Sequence, residues 1–131
     1  MIVYYDGVCA LCNEYVRWTL RHDSKRRLLY APLDSAHGTR LRRAFPATRD
    51  VDSIILRDGD RVFVKSDAIL AIARQCGGLW GVAATLVRVV PRPLRDWGYD
   101  FIARRRYKWF GQFDACPLPP ADARDRFLNE E

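Results

Sequence analysis

Asp6, Cys9 and Cys12 lie in the run Asp6-Gly7-Val8-Cys9-Ala10-Leu11-Cys12, close to the start of a chain of 131 residues. Two residues between cysteines, on what reads as the first turn of a helix, bring the sulfurs within disulfide range with little strain. A helix N-terminus presents unpaired N–H groups and the positive end of its dipole, and both favour a thiolate. In such motifs a cysteine pKa falls from about 8.5 to roughly 7 or lower. The chemistry predicted is thiol–disulfide exchange. Cys9 is expected as the exposed nucleophile, and Cys12, one turn deeper, as the thiol that resolves the mixed disulfide. Asp6 admits three roles. It could cap the helix by accepting an N–H from Val8 or Cys9, raise the thiol pKa by its charge, or take the Cys12 proton as that thiol attacks. Proton handling is preferred, because Gly7 leaves space for the loop to fold back.

The elements that must hold these residues follow from periodicity. Ile2 to Tyr5 is an apolar, β-branched and aromatic run, a buried strand ended by Asp6-Gly7. Cys9 to Arg21 reads as a helix with Cys12, Tyr15, Val16, Thr19 and Leu20 on one face. Leu28 to Ala31 is a second strand, stopped by Pro32. Ser35 to Phe45 suits an amphipathic helix with Ser35 as N-cap and Leu41, Ala44 and Phe45 inward. Ser53 to Leu56 and Arg61 to Val64 flank Asp58-Gly59, a hairpin signal. Ser66-Asp67 is expected to cap a helix from Ala68 to Cys76, which Gly77-Gly78 terminates. The order βαβ, α, ββ, α predicts an α/β fold with a mixed sheet: a parallel pair from the crossover and an antiparallel pair from the hairpin. Leu79 to Val90 then reads as a buried or interfacial helix, broken by Pro91-Arg92-Pro93. Leu94 to Trp109 reads as another, with Trp97, Phe101 and Trp109 as its core stripe. One domain of residues 1–131 is expected: a core of about 1–78, a helical appendage of about 79–120 and a frayed tail at 121–131.

Composition supports a packed core. Hydrophobic residues make up 49% and aromatics 12%, which excludes a disordered chain. Four cysteines are too few for a disulfide scaffold. The chain opens Met1-Ile2-Val3-Tyr4-Tyr5-Asp6, without a basic and then apolar leader, and the apolar run from Leu79 to Val90 contains Arg88 and is too short to span a bilayer. A cytoplasmic, reducing setting is therefore expected. The formal net charge is +6. Residues 79–113 hold seven basic and two acidic residues, so the appendage is the electropositive part.

At this point the chain resembles a known family. Tyr5-Asp6-Gly7-Val8-Cys9-Ala10-Leu11-Cys12 is similar to the signature of the DCC family of predicted thiol-disulfide oxidoreductases, named for this Asp and the two Cys. Arg106-Tyr107-Lys108-Trp109-Phe110-Gly111 followed by Cys116-Pro117 resembles its C-terminal segment. With Ser66-Asp67-Ala68-Ile69 the match spans about residues 2–120. The resemblance implies a thioredoxin-like fold and makes Asp6, Cys9 and Cys12 the functional residues. It also exposes a departure. Thioredoxin-like proteins usually carry a cis-proline just before the third strand, facing the cysteine pair. Asp52-Ser53 stand there instead, which leaves a metal- or iron–sulfur-binding module as the alternative.

Other residues carry weaker signals. Cys76 reads as a small buried hydrophobe. Cys116, in an irregular segment, could serve as a third thiol or simply pack. A zinc site from Cys9, Cys12, Cys116 and a histidine lacks a second paired-ligand motif, and His22 and His37 stand alone, so no metal is assigned. No phosphate loop or dinucleotide fingerprint is present, so no cofactor is assigned, and redox equivalents are expected from another thiol carrier. Arg104-Arg105-Arg106 point in three directions on a helix, which disfavours a nucleic-acid face and reads as a solvated surface. The expected partners are a thiol or disulfide substrate, protein or small, with membrane-surface contact through the basic appendage.

Overall fold

The computed structural model describes residues 1–23, 28–51, 53–112 and 126–127. Its first strand, β1 (Ile2–Tyr5), is the central one, with β2 (Leu29–Pro32), β3 (Ile55–Asp58) and β4 (Arg61–Val64) arranged in the order β2-β1-β3-β4. β1 runs parallel to β2, with Val3 opposite Tyr30, and antiparallel to β3, with Val3 opposite Leu56; β3 and β4 are antiparallel. This is the mixed sheet of a thioredoxin-like fold.

Period-two alternation along β1 explains its central place. Val3 and Tyr5 point to one face, where they pack with Cys12 and Val16 of α1 (Ala10–His22) and Ala68 and Ile72 of α3 (Lys65–Cys76). Tyr4 points to the other, against Leu41 of α2 (Ala36–Ala44). Every strand position on β1 therefore meets apolar surface on one face or the other. On α2, Ser35 is the N-cap as expected, its hydroxyl accepting the Gly38 N–H, and Leu41 is buried, whereas Ala44 is exposed and Phe45 half-buried beyond the helix end. Gly38 lies so close to Leu33 that a Cβ there would fall 2.0 Å from the Leu33 carbonyl oxygen.

Several boundaries differ from expectation. β3 is Ile55–Asp58 rather than Ser53–Leu56, and because Asp58 pairs with Arg61 the hairpin turns at Gly59-Asp60 rather than Asp58-Gly59. Gly59 takes a φ of 61° at the first loop position, which a two-residue loop favours. α3 begins at Lys65, whose φ is 54°, so Ser66 and Asp67 lie inside its first turn and do not cap it. Their side chains are engaged by the last helix instead, through Asp96, Arg92 and Arg95. α4 (Gly78–Val87) is shorter than the apolar run that predicted it.

α5 (Arg92–Phe110) crosses the end of the domain where α1 and α3 begin. Asp96 accepts the Ser66 hydroxyl, Asp100 pairs with Lys65 at 3.2 Å, and Tyr99 accepts the Ile54 N–H at 3.0 Å while sharing a hydrogen bond with Ser53. The helix thus faces inward with a polar stripe. Trp97, Phe101 and Trp109, expected as its core stripe, are exposed. The reason is that the surface beneath α5 offers the polar groups of Asp6, Ser53, Ile54, Lys65, Ser66 and Asp67, which demand hydrogen-bond or ion-pair partners rather than rings. α4 departs in the same direction: Ala84 is its buried residue, and Leu79, Val82 and Leu86 face outward. Trp80 packs edge-on against Trp18 of α1, with ring centroids 4.9 Å apart.

Of the tail expected to fray, Arg126 and Phe127 are described, and both are packed. Phe127 stacks on Tyr30 with ring centroids 5.2 Å apart, and Arg126 pairs with the buried Asp23. No helix among the described residues is long and apolar enough to cross a membrane.

Candidate functional site

The strand-to-helix turn after β1 builds the site from short-range bonds. The Asp6 carbonyl accepts the Cys9 N–H at 3.2 Å, and the Asp6 carboxylate accepts the Val8 N–H, also at 3.2 Å. This is an Asx turn rather than a helix cap, because the N-cap position belongs to Cys9. The Cys9 sulfur accepts the backbone N–H of Cys12 at 3.3 Å, the bond a serine or aspartate oxygen usually makes there. Asn13 fastens the turn from the next helical position: its amide donates to the carbonyls of Gly7 at 2.8 Å and Cys9 at 2.9 Å.

The two thiols are driven apart in acidity. Cys9 is lowered to about 6, chiefly because the Cys12 thiol donates to its sulfur. The Cys12 backbone N–H and the positive charge of Arg106 act in the same direction, against burial and the negative charge of Asp6. Cys12 is pushed far above the ordinary range, first by its bond to Cys9, then by burial and by the charge on Cys9. The surroundings thus favour the thiolate on Cys9 and the thiol on Cys12.

Access differs from expectation. Cys9 was expected to be exposed, yet its exposure is 0%, and Cys12 retains 4%. The cover comes from the distant end of the chain. The Gly111 carbonyl accepts the Ala10 N–H at 3.3 Å, and Gln112 forms an antiparallel bridge with Cys9. Gly111 holds a φ of 95°, a conformation that turns the chain back over the cysteine.

Asp6 meets α5 as well. Its second carboxylate oxygen accepts from Arg106, with Nη2 at 3.1 Å, and from the Tyr107 hydroxyl. Tyr107 is pushed up to about 12 by burial and by this bond to a carboxylate. Sequence reasoning missed Arg106, Tyr107, Tyr99 and Asn13 as site residues. Arg106 and Tyr107 did stand in the C-terminal run that resembles the DCC family, which was the available signal; Arg106 is not the solvated side chain expected but is buried. Tyr99 and Asn13 carried none.

Beside Cys12 lies an apolar cavity of about 360 Å³ whose walls include Leu11, Tyr15, Ile54, Ile69 and Ile102, with Tyr99 and Arg106 also lining it. The segment in front of β3, expected to face the cysteines, lines it through Ser53 and Ile54; Asp52 lies outside the described residues. Cys76 is half-buried, and burial raises its thiol pKa. Cys116 lies outside the described residues. Among the described residues, no three His, Cys, Asp or Glu side chains gather as a metal site would need.

A family model described as DCC1-like thiol-disulfide oxidoreductase matches residues 3–112, which takes in the dithiol turn, the sheet and the whole of α5. The chain belongs to this DCC family. It is 35% identical over 128 residues to an uncharacterized protein, YuxK, of Bacillus subtilis, covering 97% of this chain and 93% of that one. It is also 35% identical over 118 residues to a chloroplastic DCC family protein of Arabidopsis thaliana, covering 89% of this chain and 69% of that one. No solved structure matches. The match to the DCC family takes in the covering residues Gly111 and Gln112 and stops there.

Proposed function

We propose that this chain exchanges disulfides through Cys9 and Cys12, transferring two electrons between its dithiol and a thiol or disulfide partner. The observation that carries the reading is the seat of Cys9 at the N-terminus of α1, where its sulfur accepts the Cys12 N–H at 3.3 Å. The Cys9 thiolate attacks one sulfur of a substrate disulfide, forming a mixed disulfide and releasing the other half as a thiolate that takes a proton from solvent. Cys12 then gives up its proton and attacks Cys9, forming the Cys9–Cys12 disulfide and releasing the second thiol. The substrate is reduced by two electrons and the protein is oxidised by two. For the Cys12 proton we assign Asp6 as acceptor through solvent, supported by its place in the same turn, where Arg106 and Tyr107 hold its carboxylate. Because Cys9 is covered, the Gly111–Gln112 segment moves aside before a substrate sulfur can approach in line. The apolar cavity beside Cys12 suits an uncharged group next to the substrate sulfur.

The test is equilibration of the full chain in glutathione buffers, followed by acid quench, alkylation and mass analysis. A two-electron couple confined to Cys9 and Cys12 is expected, with Cys12→Ser accumulating glutathione on Cys9. A chain that forms no Cys9–Cys12 disulfide at any glutathione ratio, or that is modified first at Cys12, overturns the reading.

A further inference from the structure

We infer that the corner between α4 and α5, with the outer face of α5, is a docking surface for an anionic lipid bilayer. The corner is the stretch Leu86 to Leu94. In it Leu86 is 67% exposed and Val89 83%, and Val87, Val90 and Leu94 are also open to solvent. Side chains of this kind, contiguous at a protruding turn, are uncommon on a surface that meets only water. α4 makes the same point, since a helix apolar all round is normally enclosed by protein or lipid.

Charge decides what covers it. Arg88 and Arg92, within the corner, join Arg61 and Arg74 around a cavity of about 570 Å³, where Asp67 is the acidic residue present. Asp67 is already paired with Arg92 and Arg95, whereas Arg74 and Arg88 have no carboxylate partner among the described residues. Guanidinium groups around a cavity of that size suit a phosphate headgroup. Along α5 both acids, Asp96 and Asp100, are engaged by Ser66 and Lys65, and on the outer face Arg105 and Lys108 make no ion pair among the described residues. Beside them stand Trp97 and Trp109, each in ring contact with Phe101, and Arg105 lies over the Phe101 ring at 3.9 Å. Exposed aromatic rings interleaved with cations are the pattern of helices that lie in a membrane interface. A second copy of the chain is a poor occupant, because a two-fold contact through this face sets arginines against arginines. The inference is independent of the thiol chemistry.

Sedimentation of the full chain with vesicles tests it. Vesicles of mixed phosphatidylglycerol and phosphatidylcholine should bind at least roughly tenfold more tightly than phosphatidylcholine alone, with binding that weakens as salt rises and a blue shift of tryptophan emission. The double variant Val89→Glu, Leu94→Glu should lose the emission shift and most of the binding. Arg74→Glu with Arg88→Glu should lose the preference for the anionic vesicles. All four positions except Arg74 lie in the exposed corner, and Arg74 is itself exposed, so unchanged circular dichroism will show that the fold survives. The inference is overturned by equal binding to both vesicle types, by no binding at low salt, by variants that bind as the parent does, or by a dimer in the absence of lipid that Val89→Glu dissociates.

Discussion

The guanidinium of Arg106 lies 3.1 Å from the carboxylate of Asp6, across 100 positions of sequence, and both side chains are largely buried. The pair joins the last long helix to the turn that carries the dithiol. Each partner also acts on Cys9: Arg106 favours its thiolate and Asp6 opposes it. Their closeness lets each compensate the other, so changing one should move the acidity of a cysteine it does not replace.

Replacing Arg106 with Gln removes the cation and leaves the Asp6 charge uncompensated. The midpoint of Cys9 alkylation against pH should rise from about 6, by on the order of one pH unit. Arg106→Lys should recover part of the difference, since the charge returns without the planar fork. An unchanged midpoint in Arg106→Gln would show that the helix terminus and Cys12 alone set the acidity.

Stability of the dithiol form should depend on pH with a definite sign. Cys9 is lowered from an ordinary value of 9.0 to about 6, so between these values the unfolded chain binds more protons than the folded one. Stability therefore rises from pH 6 to pH 9, by a few kcal/mol, and this contribution is lost as pH falls through 6. Cys12 is shifted the opposite way, so its contribution is lost as pH climbs above 9. Urea unfolding of the reduced chain across this range checks both limbs, and Cys9→Ser should flatten the first.

Loosening the cover should speed Cys9 alkylation at fixed pH. Tyr99→Phe leaves the Ile54 N–H without its acceptor, at a cost of about 1–3 kcal/mol, and frees the middle of α5. Gly111→Val forces a side chain into a φ of 95°, at about 1–3 kcal/mol, and strains the turn over the cysteine. Both variants should be alkylated faster than the parent with the pH midpoint little changed. Parent-like rates in both would mean that Cys9 is reached by another route.

Gly38→Ala is expected to destabilise the fold by about 3 kcal/mol or more, because the new methyl meets backbone that cannot yield cheaply. Thermal unfolding measures it. Since Gly38 lies on the sheet face opposite the cysteines, the alkylation midpoint of the folded fraction should stay near that of the parent.

The thioredoxin-like core was readable because its signals are local. Ile2–Tyr5 is short, apolar and β-branched, Ser35 caps its helix through its own hydroxyl, and Gly77, with a φ of 71°, ends α3 where the double glycine stood. Cys9 and Cys12 were readable for the same reason, since their bond spans three residues. The expectation failed where polarity and burial part company. On α5 the rings of Trp97, Phe101 and Trp109 suggested a core stripe, but Tyr99, Asp96 and Arg106 face inward because Ile54 N–H, Ser66 and Asp6 lie beneath them. Ser66 and Asp67 looked like a cap for α3 and are the footing for α5 instead.

By itself, then, the sequence determined the order of elements, the mixed sheet and the dithiol at the start of α1, all products of neighbours within a turn or a strand. Tertiary structure alone decided that Cys9 is covered, that Arg106 and Tyr107 hold Asp6, and that the apolar rings of α5 face outward. Those outcomes depend on where a helix some 100 residues downstream comes to rest. That is set by polar groups far away in sequence, Asp6, Ser53, Lys65, Ser66 and Asp67, which no local pattern along α5 encodes.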